Sequence, residues 1–137
     1  MRHQTKKHTL GKAQDQRKAL LRSLATELFT HGEINTTMAR AKALQPYAEN
    51  VITLAKKGDL NSRRLAGRYI FDKEIGQLID TATGELFDAP QEGKKLAKQT
   101  VLRKLFSIIG VKYSSRKVVI LESTDFHLVE GMLLKWH

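Results

Sequence analysis

Apolar residues recur at three- and four-residue steps through the first half of the chain and again in its last third, and those intervals predict helices. Between residues 15 and 31 the stripe is Leu20, Leu21, Leu24, Leu28 and Phe29, with Asp15 expected as cap and Gly32 as stop. Lys18 and Arg22 lie one turn apart on its flank, so the apolar face can dock while cations are offered to phosphate; a solvated polar face would read the same way. Glu33-Ile34-Asn35-Thr36 is short and β-prone. Thr37 can then cap a second helix carried by Leu44, Tyr47, Val51 and Leu54. Pro46 falls inside it, lacking a backbone donor and crowding the preceding turn, so a kink or restart is expected near Gln45. Gly58-Asp59 breaks this helix, Asn61 or Ser62 can cap the next, and Arg63, Arg64 and Arg68 crowd its first two turns as a second candidate phosphate site.

Between Glu74 and Gly93 the pattern changes: Glu74, Asp80, Glu85, Asp88 and Glu92 occur there without a single Lys or Arg. RNA would repel such a stretch, and its turn formers predict a surface loop over residues 81–93, facing solvent or a basic protein. Helical periodicity is read again from Lys94, through Leu96, Val101, Leu102, Leu105, Phe106 and Ile109, with Gly110 as its expected end. Lys117-Val118-Val119-Ile120-Leu121 reads as a buried strand and Met132-Leu133-Leu134 as a second. The sum is an α+β fold, helices packed on a small sheet, as one domain over residues 15–137 behind an extended basic arm over residues 1–14. Phe29, Tyr47 and Phe106 stand at core spacing. Tyr113 is set apart, because Lys112-Tyr113-Ser114-Ser115-Arg116-Lys117 interleaves an aromatic with cations and hydroxyls, a composition suited to a folded RNA surface.

Charge narrows the function. Lys and Arg total 24 against 14 acidic residues, a formal +10, which favours polyanionic partners, nucleic acid before anionic membrane. No apolar run approaches the roughly 20 residues that span a bilayer, and the N-terminus lacks the apolar stretch of a signal peptide, so a soluble intracellular protein is expected. Residues 1–18 hold Arg2, Lys6, Lys7, Lys12, Arg17 and Lys18 against Asp15 alone. Such a segment forms no core of its own; it reads as an arm ordered by phosphates, with a solvated tail the alternative of equal composition. With no cysteine, disulfides, thiolate zinc sites and thiol nucleophiles are excluded. A nucleotide-binding loop on Gly93-Lys94 would need Gly at 88, where Asp stands, and Ser or Thr at 95, where Lys stands. The histidines show no metal-ligand spacing, and no acid, base and nucleophile converge. Neither cofactor, metal nor small-molecule substrate is expected, and the chain is read as no enzyme.

Several segments carry a resemblance: Met1-Arg2-His3, Asp15-Gln16-Arg17-Lys18-Ala19-Leu20-Leu21-Arg22, Leu28-Phe29-Thr30-His31-Gly32-Glu33-Ile34-Asn35-Thr36-Thr37, Ala39-Arg40-Ala41-Lys42-Ala43-Leu44, Val51-Ile52-Thr53-Leu54-Ala55-Lys56 and Arg63-Arg64-Leu65-Ala66. In that order they resemble the bacterial-type large-subunit ribosomal protein L-seventeen family, closely over the first half and more loosely, at Leu105-Phe106, Ile109, Tyr113 and Arg116, over the second. The resemblance implies an α+β protein whose basic arm and helices dock on large-subunit ribosomal RNA near the outer end of the polypeptide exit tunnel. It further implies neighbouring ribosomal proteins as partners and the ribosome of a bacterium, or of a mitochondrion or plastid, as location. Carried over by position, Arg2, His3, Arg17, Arg22, Thr36, Thr37, Lys42, Arg63 and Arg64 are RNA-contact candidates. Lys6, Lys7, Lys12, Lys18, Arg40, Lys112, Tyr113, Arg116 and Lys117 complete the candidate set from the same basic segments.

Two departures stand out. The acidic stretch near 81–93 looks like an insertion relative to the family pattern. After Arg116 the family usually has a Gly-Gly-Tyr-Thr-Arg stretch leading into a basic hairpin, where this chain reads Lys117-Val118-Val119-Ile120-Leu121-Glu122, so the RNA contacts implied there do not carry over by position. The competing reading is a free DNA- or RNA-binding regulator, against which a short strand, rather than a tight turn, separates the first two helices.

Overall fold

Helix α1 (Gln14–His31) forms on the predicted stripe and buries Ala25, Leu28 and Phe29 completely. A computed structural model of the chain describes residues 8–115 and, as backbone, residues 133–136. Arg2, His3, Lys6, Lys7, Arg116 and Lys117, and the strand expected at 117–121, lie outside the described residues. Asp15 does not cap α1. Ala13 occupies that position without a side-chain acceptor, and Asp15 sits in the first turn, where its charge faces the positive end of the helix dipole. Gly32, at φ 81°, stops the helix as expected by turning its N–H back to the Leu28 carbonyl at 2.8 Å, a left-handed conformation that glycine adopts without a Cβ penalty.

Strand β1 (Glu33–Thr36) follows, and Thr37 caps helix α2 (Met38–Lys57), its Oγ1 accepting from the Arg40 N–H at 3.4 Å. The restart expected at Pro46 does not occur. α2 runs through it, with the proline ring on the exposed side, so that one hydrogen bond is forgone while Leu44, Ala48, Val51, Ile52 and Ala55 keep their buried stripe. Asp59, rather than Asn61 or Ser62, caps the short helix α3 (Leu60–Ala66), its Oδ1 accepting from the Ser62 N–H at 2.9 Å. α3 ends before Arg68, which stands in the turn that follows.

The acidic half departs most from expectation. The region read as an irregular loop contains strand β3 (Leu86–Phe87), and the helix expected from Lys94 gives way to strand β4 (Leu96–Thr100). Together with β2 (Glu74–Asp80) they form an antiparallel sheet in the order β3-β2-β4. Leu96 has only Gln99 and Thr100 three and four residues on, so a helix starting at Lys94 would have no apolar stripe over its first turn; pairing with Asp80, Ile79 and Leu78 wins instead. Asp80 organises the intervening turn. Its carboxylate accepts from the Ala82 N–H at 2.9 Å and the Thr83 hydroxyl at 3.2 Å, and these bonds, the backbone one foremost, hold it below its ordinary pKa.

Thr100 then caps a helical run made of α4 (Val101–Lys104), a wider π-wound turn (Leu105–Ile109) and α5 (Gly110–Lys112). Gly110 does not end it. The glycine is required because a Cβ there would lie 2.7 Å from the Ala55 carbonyl oxygen, so this helix meets α2 backbone to backbone. Lys104, half-buried, donates to the Thr30 carbonyl in the last turn of α1 at 2.8 Å, and burial lowers its pKa. One core joins α1, α2 and this run through Leu28, Phe29, Leu44, Ile52, Leu105 and Tyr113. Strand β5 (Leu133–Trp136) pairs parallel with β1, from Glu33 opposite Leu133 to Thr36 opposite Trp136, placing the second expected strand one residue beyond its predicted start. The architecture is α+β, as the sequence predicts.

Candidate nucleic-acid interface

The basic side chains fall into two populations. On and beside the sheet three are paired, Lys73 with Glu27 at 3.1 Å, Lys94 with Glu85 at 3.2 Å and Lys98 with Glu74 at 3.1 Å, while Lys94 also lies 4.1 Å over the Phe87 ring and the exposed Lys95 forms no ion pair among the described residues. On the helical side Lys12, Lys18, Arg40, Lys42, Arg63, Arg64 and Arg68 are exposed and form no ion pair among the described residues. Arg63 lies 5.7 Å over the Phe106 ring, and Arg17 reaches the Lys12 carbonyl at 3.4 Å. Lys112, exposed on α5, is likewise without an ion pair among the described residues.

Four candidates are engaged or buried within the fold. The Arg22 guanidinium is engaged within the protein: Nη2 donates to the Gly67 carbonyl at 3.0 Å and the Ile70 carbonyl at 3.2 Å, and the group lies 4.3 Å over the Phe71 ring. It ties α1 to the turn after α3. Thr36 is buried at 9% exposure, while the Thr37 hydroxyl is engaged as a cap. Tyr113, at 1% exposure, is a core residue and not a stacking platform. The signal was present: Leu105, Ile109 and Tyr113 follow one another at four-residue steps, so the tyrosine continues the apolar stripe.

The sequence reading missed the segment Arg68-Tyr69-Ile70-Phe71, which interleaves cation and aromatic in the way that drew attention to Tyr113. Ile70 is buried between the other two, and Tyr69 and Phe71 each remain 37% exposed. With Lys18, Ala19 and Arg22 of α1 and Tyr47 of α2, the cation and the two aromatics line a groove of about 530 Å³. Tyr47 donates its hydroxyl to the Tyr69 carbonyl at 2.7 Å, and their rings meet edge to face, 5.5 Å apart at 73°. Burial pushes the Tyr47 phenol up to about 12, so it stays a neutral donor. Among the described residues no group of three His, Asp or Glu could hold a metal ion, and no helix is long and apolar enough to cross a membrane.

Fold and charge thus define a class: a small α+β protein whose helical side carries exposed cations without ion pairs among the described residues, and whose sheet pairs Lys94 and Lys98 with its own acids. The Ribosomal protein L17 family matches residues 20–120, well over half of the chain. The chain belongs to that family, and is a protein of the large ribosomal subunit and of the translating ribonucleoprotein.

Proposed function

We propose that this chain is a structural, non-enzymatic constituent that binds large-subunit ribosomal RNA through α1, α2 and α3. A basic arm over residues 1–14 extends that contact, residues 15–137 act as one domain, and the seat is near the outer end of the exit tunnel of a bacterial or organellar ribosome. Exposed Lys18, Arg40, Lys42, Arg63, Arg64 and Arg68 pair with phosphates where RNA helices converge, and so lower the repulsion that opposes RNA compaction. The acidic sheet faces neighbouring ribosomal proteins. The observation that carries this reading is the segregation of cations among the described residues: Lys73, Lys94 and Lys98, on the sheet or at its entry, each lie within 3.2 Å of a carboxylate, whereas Lys18, Arg40, Lys42, Arg63, Arg64 and Arg68 on the helical side form no ion pair.

Co-sedimentation of the tagged chain with ribosomal particles from its native cells, before and after a high-salt wash, tests it. Retention on the large subunit is expected; a protein that runs free or follows DNA would instead support a free nucleic-acid-binding regulator.

A further inference from the structure

We infer that the groove between α1, α2 and the turn after α3 is a binding site for one unpaired RNA base, stacked on Tyr69 and Phe71, with its flanking phosphates held by Lys18 and Arg68. This deepens the RNA-binding reading and rests on it. A core role would bury both rings, yet each is left 37% exposed while Ile70 between them is sunk into the core. The rings are also held in advance. The Tyr47 hydroxyl fixes the Tyr69 carbonyl at 2.7 Å, and Arg22 fixes the carbonyls of Gly67 and Ile70 while lying 4.3 Å over Phe71. An aromatic surface immobilised before its ligand arrives loses little conformational freedom on binding.

Charge selects the occupant. Lys18 of α1 and Arg68 of the turn after α3 both line the groove, and no carboxylate does. A wholly apolar peptide would leave those cations without partners, whereas a splayed nucleotide offers a flat π face to the rings and phosphates to the rim. At about 530 Å³ the groove lies within the roughly 300–1,000 Å³ range of sites that hold small organic groups.

The test uses the full chain and two short single-stranded RNAs, one of mixed sequence and one with the same sugar-phosphate backbone but no bases, compared by fluorescence anisotropy. The intact RNA is expected to bind about ten-fold more tightly, and Tyr69→Leu with Phe71→Leu should abolish that difference while leaving affinity for the abasic strand unchanged. A photo-crosslinking base on the intact strand should map to Tyr69 or Phe71, a readout on the native chain that does not depend on the variant folding. Equal affinity of the native chain for both strands, or crosslinks confined to other segments, overturns the base site alone. Failure of both strands to bind overturns the RNA-binding reading and the base site with it.

Discussion

Lys94 and Lys98 of the sheet each lie within 3.2 Å of a glutamate, whereas Lys18, Arg64 and Arg68, no less basic, face none among the described residues. The cations of the two regions do not differ; the distribution of acids does. Between residues 74 and 93 the acids are concentrated, and the sheet folds so that Glu74 and Glu85 come back onto Lys98 and Lys94. The regions also divide the core. The central cluster is drawn from α1, α2 and the 101–113 run, and of the sheet strands Ile75 packs against it only partly buried. Stability and positive potential therefore reside on the same side, which suits a protein that presents a rigid basic face to a polyanion.

Four experiments can break or sharpen that contrast. Phe29→Ala in the helical core should cost about 3–5 kcal/mol of stability in urea denaturation, and Phe87→Ala in β3 well under half of that; equal losses would show that the sheet carries as much of the fold. Arg63→Glu combined with Arg64→Glu should weaken RNA binding on the order of 100-fold at moderate salt, and Glu85→Lys should cause no loss. If both changes weakened binding alike, the charge division would have no functional meaning. Gly110→Ala should cost about 1–3 kcal/mol, because the added methyl meets the Ala55 carbonyl at 2.7 Å and α2 must shift; an unchanged melting temperature would show the two helices free to separate.

The smallest effect concerns the Lys73–Glu27 ion pair, which joins α1 to the entry of the sheet. The hydrogen bond from Lys73 is the leading reason that the Glu27 pKa lies below its ordinary 4.5. A depressed carboxyl lends stability that is complete above that value and is lost as pH falls through the folded-state value beneath it. Both side chains are largely exposed, so Lys73→Met should reduce the acid-dependent loss by no more than about 0.5 kcal/mol, measured as urea stability against pH. An identical pH profile would mean that water screens the pair completely.

The helical half was legible in the sequence because its determinants are local. The stripe from Leu20 to Phe29, Gly32 as a stop and Thr37 as a cap each act within a few residues, and each is found where predicted. The sheet was not legible, since Leu96 commits to a strand only through Asp80, far back in the chain. Gly110 illustrates the same limit: its spacing looked like a helix stop, and only the Ala55 carbonyl explains why a glycine is needed in mid-helix. For the candidate site, exposure of Lys18, Arg63 and Arg64 could be anticipated from their position off the apolar stripe. The internal duty of Arg22 could not, because its acceptors are backbone carbonyls of Gly67 and Ile70, groups every residue possesses. Tyr69 and Phe71 were readable in principle through their alternation with Ile70, a period-two signal hidden in a turn.

The parallel pairing of β1 with β5 has a consequence in time. Glu33 faces Leu133, about a hundred residues further along the chain. At roughly 5–20 residues per second of synthesis, the backbone donors and acceptors of β1 on that edge wait on the order of 5–20 s for their partner, while α1 and α2 are already made and can pack. During each round of production the nascent chain therefore carries an open strand edge, the feature that invites mispairing with another chain. In the α1–β1–α2 segment the helices are complete early, and the strand between them is the last part to be satisfied.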